Sequence, residues 1–199
     1  MKWILMILAA AGVSFAGPSF AKEKSRSGRK VASETSPESA FKDLFRIATH
    51  NRCTNCHTAS EVPMQGEFGL PHSFLISRNI KTLGYSCTSC HASSGENISP
   101  LPPRALHWDM PAAKKALPKS ITPAQLCALW KDPSSNFFES GERIGLGRSL
   151  EDLVEHVEND ALVQWSFAPG VGRVAAPGTH AEFVAKFKEW VDGGAPCPL

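Results

Sequence analysis

Hydrophobic positions recur at helical spacing in four stretches of this chain, with nothing regular between them. Ser36 and Pro37 read as a helix start, an N-cap hydroxyl followed by a residue whose missing N–H costs nothing at the first position. Phe41, Leu44, Phe45 and Ala48 then fall on one face, and the pattern stops near His50. Thr122 and Pro123 open a second helix with Leu126, Cys127, Leu129 and Trp130 inward, ended by Pro133. Ser149 caps a third, with Asp152 three residues on and Leu150, Leu153, Val154 and Val157 along one stripe. Thr179 and Glu182 form a capping box for a fourth, whose Phe183, Phe187, Trp190 and Val191 make an apolar stripe closed by Gly193 and Gly194. No alternating strand pattern of useful length occurs. The predicted class is mainly α with extensive loops.

The loops are long. Pro63, Gly66, Gly69, Pro71 and Gly84 break any period between Thr58 and Ser86, and five more prolines do so between Ala92 and Lys119. A loop-rich middle of that length fits a compact domain only if something besides its own secondary structure organises it, as a large prosthetic group would. At the N-terminus, Lys2, the apolar run Trp3 to Val13 and the small residues after it read as a secretory signal, cleaved after Ala16 or after Ala21. The run is shorter than the roughly 17 to 25 residues that span a bilayer, so no stable membrane span is expected after cleavage. Residues 22–36 hold one valine and no aromatic and read as a flexible basic leader. Residues 37–199 are then expected to form a single domain.

Composition narrows the class further. With 42% hydrophobic and 20% charged residues the chain is neither wholly disordered nor a multi-pass membrane protein. A formal net charge of +2 argues for neither nucleic acid nor a polybasic membrane surface.

Candidate chemistry lies in six cysteines. Cys53-Thr54-Asn55-Cys56-His57 and Cys87-Thr88-Ser89-Cys90-His91 both match C-x-x-C-H, the attachment pattern of c-type haem. Two thiols separated by two residues reach the two vinyl groups along one porphyrin edge, and the next residue lies under the iron as proximal ligand. The expectation is two covalently bound haem c groups, with His57 and His91 as proximal ligands. A structural zinc site gives no reason for a histidine after each pair, and 30 residues between Cys56 and Cys87 exceed the usual spacing of about 15 to 20. A dithiol redox motif would need one such pair in a strand–helix context. Cys127 and Cys197 remain, and on an exported chain the even remainder favours a disulfide. A free, buried Cys127 is the alternative.

His57 and His91 are 34 residues apart, too few for a folded domain around each, since domains rarely fall below about 50 residues. The haems are expected to share one fold and to lie close together. A dihaem peroxidase would place its motifs in two larger domains. Among possible sixth ligands, His72 stands between the motifs beside Phe74, and His107 follows the second motif beside Trp108. Met64 and Met110 are the runners-up, while His50, His156 and His180 read as a helix end and two surface residues.

The run His50-Asn51-Arg52-Cys53 to His57, then Pro71-His72-Ser73-Phe74, then Tyr85-Ser86-Cys87 to His91 resembles the small dihaem subunit of periplasmic nitrate reductase. That resemblance covers about residues 50–92, departs from the family in the order Pro-His-Ser-Phe, and implies two irons each held by two histidines, His72 among them. The stretch from Leu126-Cys127 through Trp165 to Trp190-Val191 and Ala195-Pro196-Cys197-Pro198 resembles small dihaem proteins associated with molybdenum hydroxylases of the isoquinoline 1-oxidoreductase type. It implies a subunit or electron acceptor rather than the catalytic chain. The expected function is a periplasmic electron-transfer cytochrome with a redox protein partner, a periplasmic molybdenum oxidoreductase by this second resemblance. A haem enzyme with one open coordination position is the alternative. The acidic stretch from Asp132 to Asp160, eight Asp and Glu against two Arg, is either a docking surface or a set of solvated helix faces.

Overall fold

Each of the four expected helices begins where a side chain takes over an orphaned backbone N–H. In the computed structural model, which describes residues 36–91 and 108–198, the Ser36 hydroxyl accepts from the Ser39 N–H at 3.2 Å and opens α1 (Pro37–Ala48). Thr122 and Gln125 cap α3 (Pro123–Lys131) reciprocally, as Ser149 and Asp152 cap α4 (Leu150–Asn159) and Thr179 and Glu182 cap α6 (His180–Asp192). Two further helices were not expected. α2 (Asn51–Thr54) is a single turn, and α5 (Ala161–Phe167) starts at Asp160, which ends α4 and whose carboxylate accepts from the Leu162 and Val163 N–H groups. The only sheet among the described residues is a two-residue antiparallel pair, β1 (Met64–Gln65) with β2 (Leu70–Pro71). Short 3-10 turns occur at Ser73–Leu75, Ile80–Leu83, Cys87–Ser89 and Ala113–Lys115. The expected signal at 1–21, the leader up to residue 35 and His107 lie outside the described residues.

The core sits between α1 and α6. Phe41, Leu44, Leu126, Cys127, Phe187 and Trp190 are all fully buried, and each large side chain contributes roughly 1.5–3 kcal/mol. Phe41 meets Trp190 with ring centres 5.2 Å apart, and Trp130 meets Phe187 at 5.0 Å. α6 ends hard against the start of α1: a Cβ at Gly193 would collide with the Pro37 ring, so only glycine fits there.

The C-terminal tail is tied back onto this core. The buried Trp190 indole donates to the Pro196 carbonyl at 3.0 Å, and the Lys131 ammonium donates to the Ala195 carbonyl at 2.9 Å. Cys127 of α3 is disulfide-bonded to Cys197, their Cα atoms 5.5 Å apart, across a sequence separation of 70.

Two measurements follow from these contacts. Replacing Cys127 and Cys197 together by alanine is expected to cost roughly 4 kcal/mol in denaturant unfolding, the loop-closure effect for a loop of this size, and neither cysteine should alkylate before reduction. The Asp152 carboxyl is held down at about 2 by the Arg143 guanidinium and the Ser149 N–H, against an ordinary 3.8. Between those two values the unfolded chain binds the extra proton, so stability is present above them and is lost as pH falls through them. Asp152→Asn should flatten that part of the acid unfolding curve; an unchanged curve would show that the pair carries no stability.

Candidate functional site

α1 delivers the first cysteine motif directly from the core. Thr49 closes α1, and His50 opens α2 by accepting the Arg52 N–H on Nδ1 at 3.2 Å. Arg52 is fixed in turn, donating through Nε to the Val174 carbonyl and lying over the Trp165 ring at 5.4 Å. The motif then closes as one turn: the Cys56 N–H reaches the Cys53 carbonyl at 3.2 Å, and the His57 N–H reaches it at 2.9 Å. Cys87, Cys90 and His91 repeat this turn with the same two bonds at the same two lengths. Both motifs therefore present two thiols and an imidazole from one backbone form.

The four thiols are free. Burial pushes Cys53 up to about 12 and Cys56 up to about 11, and charge on Cys87 adds to the rise at Cys56, so the second motif lies within electrostatic reach of the first. Among the described residues no group of three or more His, Cys, Asp or Glu side chains is gathered as a metal-ion site.

His57 is held on two sides by residues 115–117. Its Nδ1 lies 3.0 Å from the Lys115 carbonyl, which can only accept, so the proton is assigned to Nδ1 and the Nε2 lone pair is left available. Its own carbonyl accepts the Leu117 N–H at 2.6 Å. Burial lowers the ring to about 4, which keeps it neutral and able to donate to a metal. Beside it, Thr54, Asn55, Thr58, Met64, Leu117 and Pro118 line a cleft of about 280 Å³, into which no histidine of the described chain is built.

The second motif is assembled differently. The His91 ring stacks on Trp108 with centres 4.4 Å apart and planes 17° apart, and the His72 ring lies 6.0 Å away at 65°. His72 Nδ1 donates to the Ser73 carbonyl at 2.7 Å, which leaves its Nε2 as the acceptor nitrogen. Nδ1 of His91 is buried and has no hydrogen-bond partner among the described residues. Two imidazoles bonded at about 2 Å to one transition metal between them have ring centres roughly 6 Å apart, so this pair suits a shared iron. Phe74, two residues after His72, is forced to φ +67° and is 92% exposed. Such a left-handed non-glycine residue persists only where its surroundings over-determine it. Phe68, Leu70, Leu83 and Tyr85 are exposed in the same stretch of chain.

Arg78 links the two halves of the site, and no motif or period in the sequence marks it. Its guanidinium donates to the Thr58 and Ser60 carbonyls at 3.0 and 3.1 Å and to the Pro111 carbonyl, so the loop after His57 and the segment before the Ala113–Lys115 turn are joined through one side chain. The remaining histidines have other work. His156 pairs with Asp160 at 3.2 Å, and His180 Nε2 meets the Val157 carbonyl at 2.8 Å, so both are partly buried structural contacts rather than surface side chains. Half of the acidic stretch is paired within the chain: Glu139 with Lys115, Asp152 with Arg143, Glu158 with Lys188 and Asp160 with His156. No helix among the described residues is long and apolar enough to cross a membrane.

Arg78→Ala leaves three carbonyls without their donor and is expected to cost about 3 kcal/mol in denaturant unfolding, with Arg78→Lys recovering only part because a point ammonium cannot span the fork. A loss below about 1 kcal/mol would remove Arg78 as the link. No protein-family model matches this chain, and no curated protein or solved structure matches it.

Proposed function

We propose that this chain is an exported, periplasmic dihaem cytochrome c that carries electrons as a subunit or acceptor of a periplasmic oxidoreductase. The observation that carries the reading is the repeated C-x-x-C-H turn, in which each motif offers two free thiols and a histidine from the same backbone form. The donor set fits two covalently attached haems. Cys53, Cys56, Cys87 and Cys90 would form the thioether links, and His57 and His91 would be the proximal ligands. When bound, the iron supplies one-electron carriage; the chain's residues attach it, orient it and close it to other ligands.

The pairing of His72 with His91 supports a second haem held by two histidines, low-spin and without an open position. His107 is proposed for the first haem, with Met64, which lines the cleft beside His57, as the runner-up. Closed iron favours electron transfer over catalysis, and a redox protein, a molybdenum oxidoreductase by the resemblance of the C-terminal part, is the proposed partner.

Protein made with a haem-attachment system should carry two haem additions by mass spectrometry, and Cys87→Ala should lose only one of them. His72→Ala should turn the haem on Cys87 and Cys90 high-spin and open to carbon monoxide, leaving the other unchanged. One haem or none would sink the reading, and prompt carbon monoxide binding by the unaltered protein at neutral pH would favour an enzyme. A methionine-to-iron band in the oxidised spectrum that survives His107→Ala would assign Met64 or Met110 in its place.

A further inference from the structure

The two proximal histidines differ in what stands behind them. His57 rests on the carbonyl of Lys115, and that carbonyl belongs to a turn that is fastened from outside. The Glu139 carboxylate accepts the Ala112 N–H on Oε1 at 2.6 Å and the Lys115 ammonium on Oε2 at 2.6 Å, so one side chain grips both ends of the turn. The ammonium donates also to the Phe137 carbonyl at 2.5 Å and lies 4.5 Å from the centre of the Phe137 ring. Lys115 is buried, 7% exposed, while its partner Glu139 reaches the surface, and a buried ammonium held by this many bonds has little freedom to shift. Two residues on, the Leu117 side chain is packed into the core while its N–H holds the His57 carbonyl. Among the described residues nothing comparable stands behind His91, whose buried Nδ1 finds no hydrogen-bond partner there.

We infer that Lys115 and Glu139 are positioning residues for His57, bracing the turn whose carbonyl takes the Nδ1 proton and so setting the reduction potential of the haem on Cys53 and Cys56 apart from that of the other. The inference rests on the dihaem reading. An Nδ1–H bonded to a carbonyl makes an imidazole a stronger donor to its metal, which favours the oxidised iron and lowers the potential. Loss of the brace lengthens that bond and raises the potential. The direct charge effect has the opposite sign, because removing the Lys115 ammonium takes away a positive charge that favours the reduced iron. The two causes are therefore separable by direction alone.

The test uses the full, haem-loaded protein in a spectroelectrochemical titration of Lys115→Met and of the charge-neutral pair Lys115→Met with Glu139→Gln. In both, one of the two potentials should rise while the other stays, and in the reduced protein the His57 Nδ1 proton should exchange with solvent about tenfold faster by nuclear magnetic resonance. A fall or no change in the potentials of Lys115→Met, with the proton's exchange unaltered, would overturn the inference and leave only a local charge. Should the Lys115 variants fail to accumulate, Glu139→Gln keeps the side-chain shape, and the exchange of the Nδ1 proton alone then decides: faster exchange supports the brace and unchanged exchange rejects it. Absence of haem would defeat the cytochrome reading itself; two haems with unmoved potentials and a slow proton would defeat only the brace.

Discussion

The packing of α1 against α6, centred on Phe41 and Trp190, is the contact on which the rest of this molecule depends. It fixes the direction in which α1 ends, and α1 ends two residues before α2, the turn that carries Cys53. The same α6 receives the tail through the Trp190 indole, while the disulfide joins that tail to α3. A small helical core of this kind gains from such ties because each additional fastening limits the conformations of the unfolded chain as well as adding contacts in the folded one.

Distance from that core separates the two motifs. The first follows a core helix, and its histidine is held by the Ala113–Lys115 turn and by Leu117, a core residue. The second lies in the stretch from Ser73 to His91, where none of the described side chains is fully buried and order comes from Arg78, the Lys81–Asp109 ion pair and the His72, His91 and Trp108 rings. Hydrogen bonds hold the first imidazole, and ring contacts hold the second. Two sites with one sequence signature thus acquire different surroundings, the usual means by which a protein gives chemically identical groups different properties.

Several charged side chains fasten the fold internally. Glu139 and Lys115 close the turn behind His57, Asp152 and Arg143 stiffen the start of α4, and Glu158 reaches across to Lys188 of α6. Five of the exposed large apolar side chains, Phe68, Leu70, Phe74, Leu83 and Tyr85, lie between the motifs, and four more, Ile144, Leu146, Val171 and Val174, lie in the later loops.

The starts of α1, α3, α4 and α6 were legible in the chain because a cap acts over three or four residues, within the range of local sequence. The two C-x-x-C-H motifs were legible for the same reason, their chemistry being contained in five consecutive residues. The short α2 was not, since four residues form a helix only when neighbours hold them, and α5 escaped notice because Asp160 is at once the end of one helix and the cap of the next. The partner of His57 lies 58 residues away and is a backbone carbonyl, which every residue has and no sequence pattern advertises. Arg78 was hidden likewise, because its three acceptors are also carbonyls. Local sequence by itself determined where the two cysteine motifs stand and where the long helices begin; the tertiary structure decided that His57 is held by the Lys115 carbonyl, that His72 and His91 lie near each other, and that Lys115 pairs with Glu139, because those depend on contacts between segments that the chain separates.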